Sequence, residues 1–290
     1  MSESPTILVT GSNGQLGSEL KDLATMYPQF NFIFLSREEL SITDKEAVDA
    51  FFENHQPAFV VNCAAYTAVD KAETEPLVAN EINGNAVGHL AYAAAKYQSG
   101  FIHISTDYVF NGRKTSPWKE NDDTDPVNAY GASKLIGEFK ALKNNPGTII
   151  IRTSWVYSIH GKNFVKTMMR LMKEKESIGV VSDQQGSPTY AADLAEAIMH
   201  IITSGEWVPG IYHYSNEGSI TWYEFAVAIR ELTGSSCKVN AILTKDFPTP
   251  AARPAYSVMD TNKIQRTFSL DTKPWKESLQ KCISKLKLTS

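Results

Sequence analysis

Residues 6–26 read TILVTGSNGQLGSELKDLATM, and this stretch decides the fold class. It begins with a β-branched run, which is typical of a central parallel strand buried on both faces. Gly11, Gly14 and Gly17 follow at a spacing of three residues, and an amphipathic segment covers residues 18–26. A strand, a glycine-rich turn and a helix in this order indicate a dinucleotide-binding domain. The glycines permit a tight turn, close approach of a pyrophosphate and close helix–strand packing.

Apolar runs and helical segments alternate along the rest of the chain. The runs that we interpret as further strands cover residues 31–35, 57–65 with the strand exit, 101–104, 148–152, 177–182 and 210–214. The alternation predicts the α/β class, with a doubly wound parallel (Rossmann) sheet and a smaller C-terminal substrate-binding cap. We assign residues 1–155 to the dinucleotide-binding domain, with 178–205 returning to it, and residues 156–177 and 206–290 to the cap.

Two helices carry local signals in the sequence. Thr43 is predicted as an N-cap, with Glu46 completing a capping box, for a helix that runs to about residue 55. Residues 76–97 are rich in small side chains that suit packing on a sheet, and they predict one long helix.

The composition is that of an ordinary globular protein, and it excludes several classes of function. Hydrophobic residues make up 42% of the 290 residues, and the net charge of −4 gives no sign of binding to nucleic acid or to an anionic membrane. No apolar run approaches the ~20 residues that a membrane-spanning helix requires, and the first residues lack a secretory signal. Three cysteines without metal-ligand spacing predict reduced thiols. We therefore expect a cytoplasmic protein.

The stretch from residue 105 to residue 134 contains the candidate catalytic residues. It ends in Tyr-Gly-Ala-Ser-Lys, so Tyr130 and Lys134 are four residues apart. On a helix this spacing places both side chains on one face, roughly 5–6 Å apart. A nearby ammonium lowers the pKa of a phenol, which would make Tyr130 a proton donor that works near neutral pH. Thr106, at the end of the preceding strand, adds a hydroxyl at the same place.

The end of the second strand bears on the choice of cofactor. Ser36 and Arg37 stand where an acidic residue would hold an unphosphorylated ribose. Arg37 can meet a 2′-phosphate, which favours NADPH, while NADH remains the alternative. The competing interpretation of Arg37 is a surface arginine in a loop.

Several motifs together carry a resemblance to a known family. Thr-Gly-x-x-Gly-x-x-Gly at residues 10–17, Asn-Cys-Ala-Ala at 62–65, Ser-Thr-Asp at 105–107 and Tyr-x-x-x-Lys at 130–134 resemble the extended short-chain dehydrogenase/reductases. Within that superfamily the chain is most similar to the dTDP-4-dehydrorhamnose reductases. The segments that carry this likeness lie at residues 62–73, 105–110, 152–157, 163–168, 183–189 and 253–254.

The resemblance implies a role for each matching position. It implies reduction of the C4 keto group of a nucleotide-linked 4-keto-6-deoxy sugar by NADPH, with Thr106, Tyr130 and Lys134 as the catalytic trio. The positions implied at the cofactor are Gly11, Gly14, Gln15, Leu16 and Gly17 near the pyrophosphate, Ala65, Tyr66 and Thr67 further along, and Tyr130 and Lys134 at the nicotinamide end. The positions implied at the nucleotide sugar are Val69, Thr106, Asp107, Trp155, Asn163 and Arg253.

The chain departs from the family pattern in its glutamates. Some members join two chains through Mg²⁺ held by glutamates, whereas Ala191 and Ala192 stand here where one glutamate is expected, and the tail ends Lys-Leu-Thr-Ser. Glu19 is present. We therefore expect no metal site and a monomer or homodimer.

Two other functions stay open on the same residues. A sugar-nucleotide epimerase or dehydratase uses the same scaffold, although dehydratases of this superfamily need an acid where this chain has Tyr108. A non-catalytic, reductase-like regulatory subunit is the second alternative, and the intact Thr106, Tyr130 and Lys134 argue against it.

Overall fold

The computed structural model describes residues 4–288 of the chain. Its strands are β1 (Thr6–Thr10), β2 (Asn31–Leu35), β3 (Phe59–Asn62), β4 (Gly100–Thr106), β5 (Ile149–Thr153), β6 (Val156–Tyr157), β7 (Ser177–Val181), β8 (Gln185–Gly186), β9 (Thr189–Tyr190), β10 (Gly210–His213), β11 (Ile220–Thr221) and β12 (Lys238–Ile242). Its α-helices are α1 (Gln15–Leu23), α2 (Lys45–His55), α3 (Val69–Ala72), α4 (Pro76–Asn80), α5 (Ala86–Lys96), α6 (Ala129–Asn144), α7 (Phe164–Glu174), α8 (Ala191–Thr203), α9 (Trp222–Thr233), α10 (Asn262–Phe268) and α11 (Trp275–Leu288).

A six-stranded parallel sheet forms the centre of the molecule. Its strand order is β2-β1-β3-β4-β5-β10, with every neighbouring pair parallel. The chain moves from β1 outward to β2 and then returns to place β3 on the other side of β1. Such a reversal opens a crevice at the carboxyl ends of the strands, where open α/β sheets bind their ligands. The predicted fold class is confirmed.

Helices cover both faces of this sheet, and alternate residues of β1 show the two layers. Ile7 and Val9 pack in a cluster with α1, α8 and α10, whereas Leu8 packs in a cluster with α2, α5 and α6. All three side chains are fully buried. Burial on both faces explains why β1 is a continuous apolar run and not an alternating one.

The cap has an apolar core of its own, built from α7, α9, α11 and the parallel pair of β7 and β12. The structure differs from the predicted domain boundaries in two places. The strand at Ser177–Val181 pairs with β12 in the cap and does not return to the central sheet. Conversely, Gly210–His213 was assigned to the cap but pairs with β5 as the last strand of the central sheet. A short apolar run does not reveal its partner strand, which is why the sequence misplaced both.

The two helix predictions need correction as well. Asp44 is the N-cap of α2, because its carboxylate accepts the Ala47 N–H at 3.0 Å, so Thr43 was the wrong residue by one position. The long helix predicted over residues 76–97 is interrupted between α4 and α5 by a π-helical turn at Glu81–Asn85. Such turns often occur at functional sites.

A buried ion pair holds α6 against the sheet. The Nε of Arg152 in β5 donates to Glu138 Oε1 at 2.9 Å, and its Nη2 donates to Oε2 at 2.7 Å. Ser105 at the end of β4 donates to the same carboxylate. Both charged side chains are 2% exposed, so each depends on the other for its charge to be tolerated.

We expect Glu138→Gln to lower the free energy of unfolding by about 3–5 kcal/mol, because it leaves the Arg152 guanidinium buried without a counter-charge. Urea denaturation measures the change. Glu174→Gln is the matched control, since it breaks the exposed Arg170–Glu174 pair on α7 and should have little effect. Equally small losses in the two variants would contradict a structural role for the buried pair.

Candidate active site

The glycine-rich turn lies at the crevice between β1 and β3. Gly11 has φ +68°, and a Cβ there would lie 2.6 Å from the backbone nitrogen of Ala64, just past the end of β3. A Cβ on Gly17 would lie 2.5 Å from the Gly11 carbonyl oxygen. Gly14 is the N-cap of α1 and offers no side chain to the first N–H groups of the helix. Those N–H groups can therefore bind an anion, so the turn fits the pyrophosphate of a dinucleotide.

The side chains of the next two predicted cofactor residues point away from this turn. Leu16 packs in the core beneath the sheet. Gln15 reaches the cap, where its Oε1 accepts the Asn163 Nδ2 at 2.9 Å. The backbone N–H groups of these residues, at the start of α1, are the groups that suit phosphates. Asn163, predicted near the substrate, is the N-cap of α7 and also donates to the carbonyl of Ser158, so it ties the turn to the cap.

The chain after β3 is held in place by Asn83, a polar residue of the segment 76–97 for which the sequence left a solvated and a site-supporting role open. Asn83 Oδ1 accepts the Tyr66 N–H at 2.8 Å, and its Nδ2 donates to the Tyr66 carbonyl at 3.0 Å and to the Ser133 hydroxyl of α6 at 2.9 Å. Asn83 lies in the π-helical turn and is fully buried. It therefore positions the predicted cofactor segment Ala65–Thr67 relative to α6. A polar residue in an otherwise apolar helix was the available signal.

The predicted catalytic residues meet at the end of β4. Tyr130 and Lys134 lie one turn apart in α6, as the spacing predicts. Lys134 Nζ donates to the Ile104 carbonyl of β4 at 2.6 Å. Thr106, the last residue of β4, lies close enough to Tyr130 for its hydroxyl to favour the phenolate. The structure thus brings the hydroxyl, the phenol and the amine together at one strand end.

The acid–base properties of Tyr130 differ from the prediction. Burial raises the pKa of Tyr130 to about 12, and the nearby Thr106 side chain only partly opposes this effect. Lys134 is not among the groups that lower the Tyr130 pKa, so that expectation was wrong for this structure. Burial also lowers the pKa of Lys134 to about 8, against the opposing effects of Glu138 and Cys63. At neutral pH the phenol keeps its proton and is ready to give it away.

Asp107, predicted to contact the sugar, is buried next to Thr106. Its Oδ1 accepts the Thr106 hydroxyl at 3.0 Å, and its Oδ2 has no hydrogen-bond partner within 3.5 Å among residues 4–288, although the Ser257 hydroxyl is near enough to favour the charged carboxylate. Burial raises the pKa of Asp107 to about 7. A buried carboxylate oxygen without a partner is a feature that a sugar hydroxyl would satisfy.

Trp155, also predicted at the sugar, has an unusual backbone and an aromatic partner. Its φ is +48°, which is uncommon for a bulky residue and is found mostly at functional sites. Its ring stacks on Trp222 of the cap with centroids 3.6 Å apart. A Cβ on Gly186 would lie 2.6 Å from the indole, so a glycine is needed there. The stacking with Trp222 could not be predicted, because nothing in the sequence connects two tryptophans that lie 67 residues apart.

Arg253 forms an ion pair that the sequence did not predict. Its Nη1 and Nη2 each donate to the Asp70 carboxylate at 2.9 Å, and Nη1 also donates to the Ala251 carbonyl at 2.8 Å. Among the described residues this leaves the Nε–H and one Nη2–H unused, and these two donors form the side-on fork of a guanidinium. That fork suits a phosphate group.

Asp70 and Arg253 lie at the edge of a cavity of about 310 Å³ between the central domain and the cap. Its walls are mainly apolar and include Phe164, Met168, Val180, Trp222 and Ile242. Val69, the remaining predicted substrate residue, begins α3 and is adjacent to Asp70 in the chain. None of Thr106, Tyr130 and Trp155 lines this cavity, so it is a candidate for the nucleotide part of the substrate and not for the reacting sugar.

Arg37 is exposed just after β2, at the edge of the crevice. The N–H of Ser36 donates to the Glu39 carboxylate at 2.7 Å, which fixes the start of this loop. The position is compatible both with contact to a 2′-phosphate and with a surface role.

Glu19, Asp22 and His160 form a cluster whose polar atoms lie within 4.8 Å of one another. The Ser158 hydroxyl donates to Glu19 at 2.6 Å, and His160 Nε2 lies 2.7 Å from Asp22 Oδ2. These hydrogen bonds tie α1 to the chain before α7, and they account for the cluster. The tail residues Thr289 and Ser290, which entered the prediction of no Mg²⁺ bridge, lie outside the described residues.

The fold and the site together define a short-chain dehydrogenase/reductase. The parallel sheet has the required strand reversal, the glycine-rich turn lies at the reversal, and the Tyr-x-x-x-Lys helix packs against α5 and β4.

Comparisons with known proteins identify the family within this class. The family model of the RmlD substrate binding domain matches residues 5–288. A dTDP-4-dehydrorhamnose reductase from Aggregatibacter actinomycetemcomitans is 42% identical over 284 residues, which cover 94% of this chain and 97% of the relative. The crystal structure of such a reductase from Clostridium acetobutylicum has a TM-score of 0.93 at 41% identity, covering 97% of this chain and 99% of the other. One from Bacillus anthracis in complex with NADP has a TM-score of 0.93 at 37% identity, with the same coverage. The chain belongs to the family of dTDP-4-dehydrorhamnose reductases.

We expect Arg37→Asp to narrow or reverse a preference for NADPH over NADH, because a carboxylate repels a 2′-phosphate and accepts a ribose hydroxyl. The dissociation constants of both nucleotides, measured by fluorescence titration, give the ratio. Arg266→Asp is the matched control, since Arg266 is exposed on α10 beside the opposite edge strand. An unmoved ratio in Arg37→Asp would assign Arg37 to solvent.

We expect Arg253→Ala to weaken binding of the nucleotide sugar by roughly 10–100-fold, the size of a lost charge-assisted contact, and to leave the NADPH dissociation constant unchanged. Calorimetry on one purified variant measures both. Asp70→Asn separates contact with the ligand from support of the fold, because it keeps the Arg253 guanidinium while weakening the ion pair that holds it in place. Equal losses for both ligands in Arg253→Ala would mean that the ion pair supports the fold alone.

Proposed function

We propose that this protein catalyses the NADPH-dependent reduction of dTDP-4-dehydro-L-rhamnose to dTDP-L-rhamnose. The observation that carries the proposal is the assembly of Thr106, Tyr130 and Lys134 at the end of β4, on the same carboxyl edge of the sheet as the glycine-rich turn, in a chain of the reductase family. The relatives are named as reductases, which favours reduction over epimerisation, dehydration or a regulatory role.

The binding roles proposed for the chain follow from the geometry of the crevice. The backbone of residues 11–17 holds the pyrophosphate, and Ala65, Tyr66 and Thr67 line the path of the cofactor from there toward β4. NADPH, when bound, supplies the hydride that reaches C4 of the sugar. Residues 69, 106, 107, 155 and 253 surround the sugar and its diphosphate, with Asn163 joining the cap to the turn. The division into a dinucleotide-binding domain and a cap serves to enclose the sugar between them.

The proton for the reaction comes from Tyr130. As C4 accepts a hydride, negative charge develops on its oxygen, and the phenol donates a proton to that oxygen. A pKa of about 12 keeps the phenol protonated until an alkoxide, which is a stronger base than the phenolate, forms next to it. When the sugar is bound, the Thr106 hydroxyl turns from Asp107 Oδ1 to the same oxygen and stabilises the charge as it develops.

The proposed reaction also bears on the compartment and the oligomeric state of the protein. None of the helices in residues 4–288 is long and apolar enough to cross a membrane. We place the protein in the cytoplasm, where NADPH and nucleotide sugars are available, as a monomer or homodimer that acts on a small-molecule substrate.

The test is NADPH oxidation at 340 nm with a panel of nucleotide-linked 4-keto-6-deoxy sugars. We expect turnover with the dTDP-linked L-sugar above all others. Tyr130→Phe should lose ~10²–10⁴-fold in kcat, since only the proton donor is removed, while the NADPH dissociation constant stays unchanged. Tyr97→Phe is a control at a tyrosine on the far end of α5. No oxidation with any sugar would contradict the proposal, and near wild-type turnover in Tyr130→Phe would remove Tyr130 from the mechanism.

A further inference from the structure

A buried histidine faces the catalytic lysine, and the reaction described above does not use it. His103 lies in β4 and is fully buried. Its Nε2 is 3.5 Å from Lys134 Nζ, and its Nδ1 is 3.0 Å from Asn62 Nδ2. The two ring nitrogens therefore touch two different groups, and the position of the ring proton decides what each contact does.

The orientation of Asn62 fixes that proton. Asn62 Oδ1 accepts the Thr10 hydroxyl at 2.7 Å and the backbone N–H of Ala64 at 3.2 Å. A backbone N–H can only donate, so the oxygen of the amide must lie on that side and the NH₂ group must face His103. The Nδ1 of His103 is consequently an acceptor. Burial and the positive charge of Lys134 hold the pKa of His103 well below its usual range, so the ring is neutral and its proton is on Nε2.

The Nε2–H of His103 then points at Lys134 Nζ. The ammonium and the amine forms of Lys134 differ in whether they can accept this hydrogen bond. As an ammonium, Lys134 has three N–H donors, of which one is used by the Ile104 carbonyl and another meets the N–H of His103. As an amine, Lys134 still donates to Ile104 and presents a lone pair to His103. All contacts are satisfied only in the amine form.

We propose that His103 is a positioning residue that stabilises the unprotonated amine of Lys134 by donating its Nε2–H to Nζ. This inference rests on the proposed role of Lys134 at the reacting end of the crevice. After Tyr130 has given its proton to the sugar oxygen, its phenolate must regain one. If Lys134 supplies that proton, the ammonium becomes the amine, and the amine gains the His103 hydrogen bond that the ammonium lacks.

The other charged and titratable groups near Lys134 act in the opposite direction. Glu138, one turn further along α6, and Cys63, just past β3, both favour the ammonium. Glu138 forms an ion pair with Arg152 and accepts a hydrogen bond from Ser105, so Arg152 largely balances its negative charge. His103 and burial are thus the two influences that favour the amine.

The tautomer is tested directly on the wild-type protein without added nucleotide. In ¹⁵N-histidine NMR at pH 7, assigned by the loss of one residue's signals in His103→Asn, we expect a protonated Nε2 and an unprotonated Nδ1 for His103. A protonated Nδ1 would overturn the proposal, because Nε2 would then accept from the Lys134 ammonium and stabilise it.

The effect on Lys134 is tested by titration of [¹⁵Nζ]lysine, with Lys134→Met to assign the signal. We expect the midpoint of Lys134 to rise by about one pH unit in His103→Asn, the size of one lost hydrogen bond, since Asn keeps a partner for Asn62 but no longer reaches Nζ. His213→Asn is the control, as His213 is the other buried histidine of the central sheet and contacts Trp118 instead.

A second variant covers the case in which His103→Asn does not fold. His103→Phe keeps an aromatic ring of similar size and removes both ring nitrogens without adding a charge. We expect the Lys134 midpoint to rise here too. An unchanged or lowered midpoint in the folded variants would overturn the proposal. Neither readout depends on turnover, so the absence of reductase activity would count against the proposed function and leave this result standing.

Discussion

The buried ion pair between Glu138 and Arg152 is the interaction on which the arrangement of the proposed catalytic residues depends. It joins α6 to β5, and Ser105 extends it to β4. Because two charges in a buried site must stay paired, α6 cannot slide along the strands without a large cost. Tyr130 and Lys134 lie in that same helix. The ion pair therefore fixes the positions of the Tyr130 and Lys134 side chains at the end of β4.

Burial shifts the pKa values of the two proposed catalytic groups of α6 in opposite directions. It raises the pKa of the Tyr130 phenol and lowers the pKa of the Lys134 amine, because the charged form is the disfavoured one in each case. Both groups are pushed toward neutrality. A neutral phenol is the form that can donate a proton, and a lysine that gives up its proton readily is the form that can restore it. Burial thus favours both steps of the proposed proton transfer, the donation of a proton by Tyr130 and the return of a proton to its phenolate.

Much of the fold was readable from the sequence because its signals are local. The turn at Gly11–Gly17 and the spacing of Tyr130 and Lys134 each lie within a few residues, and the structure has them as predicted. The contacts that the sequence could not give are long-range. Arg253 pairs with Asp70 across 183 residues, and Asn83 joins two segments that no periodicity connects. The partner strand of Gly210–His213 could not be predicted for the same reason, since a short apolar run fits the core of the central sheet and the core of the cap equally well.

The hydride itself gives the most direct test of the proposed reduction. The protein is incubated with NADPH that carries deuterium at both positions of nicotinamide C4 and with the dTDP-linked 4-keto sugar, and the product is examined by NMR and mass spectrometry. We expect one deuterium, bound to C4 of the sugar in a single configuration. Deuterium at another carbon, or a product that has lost or inverted a group without gaining deuterium, would contradict the proposed reduction and assign the crevice to a different reaction.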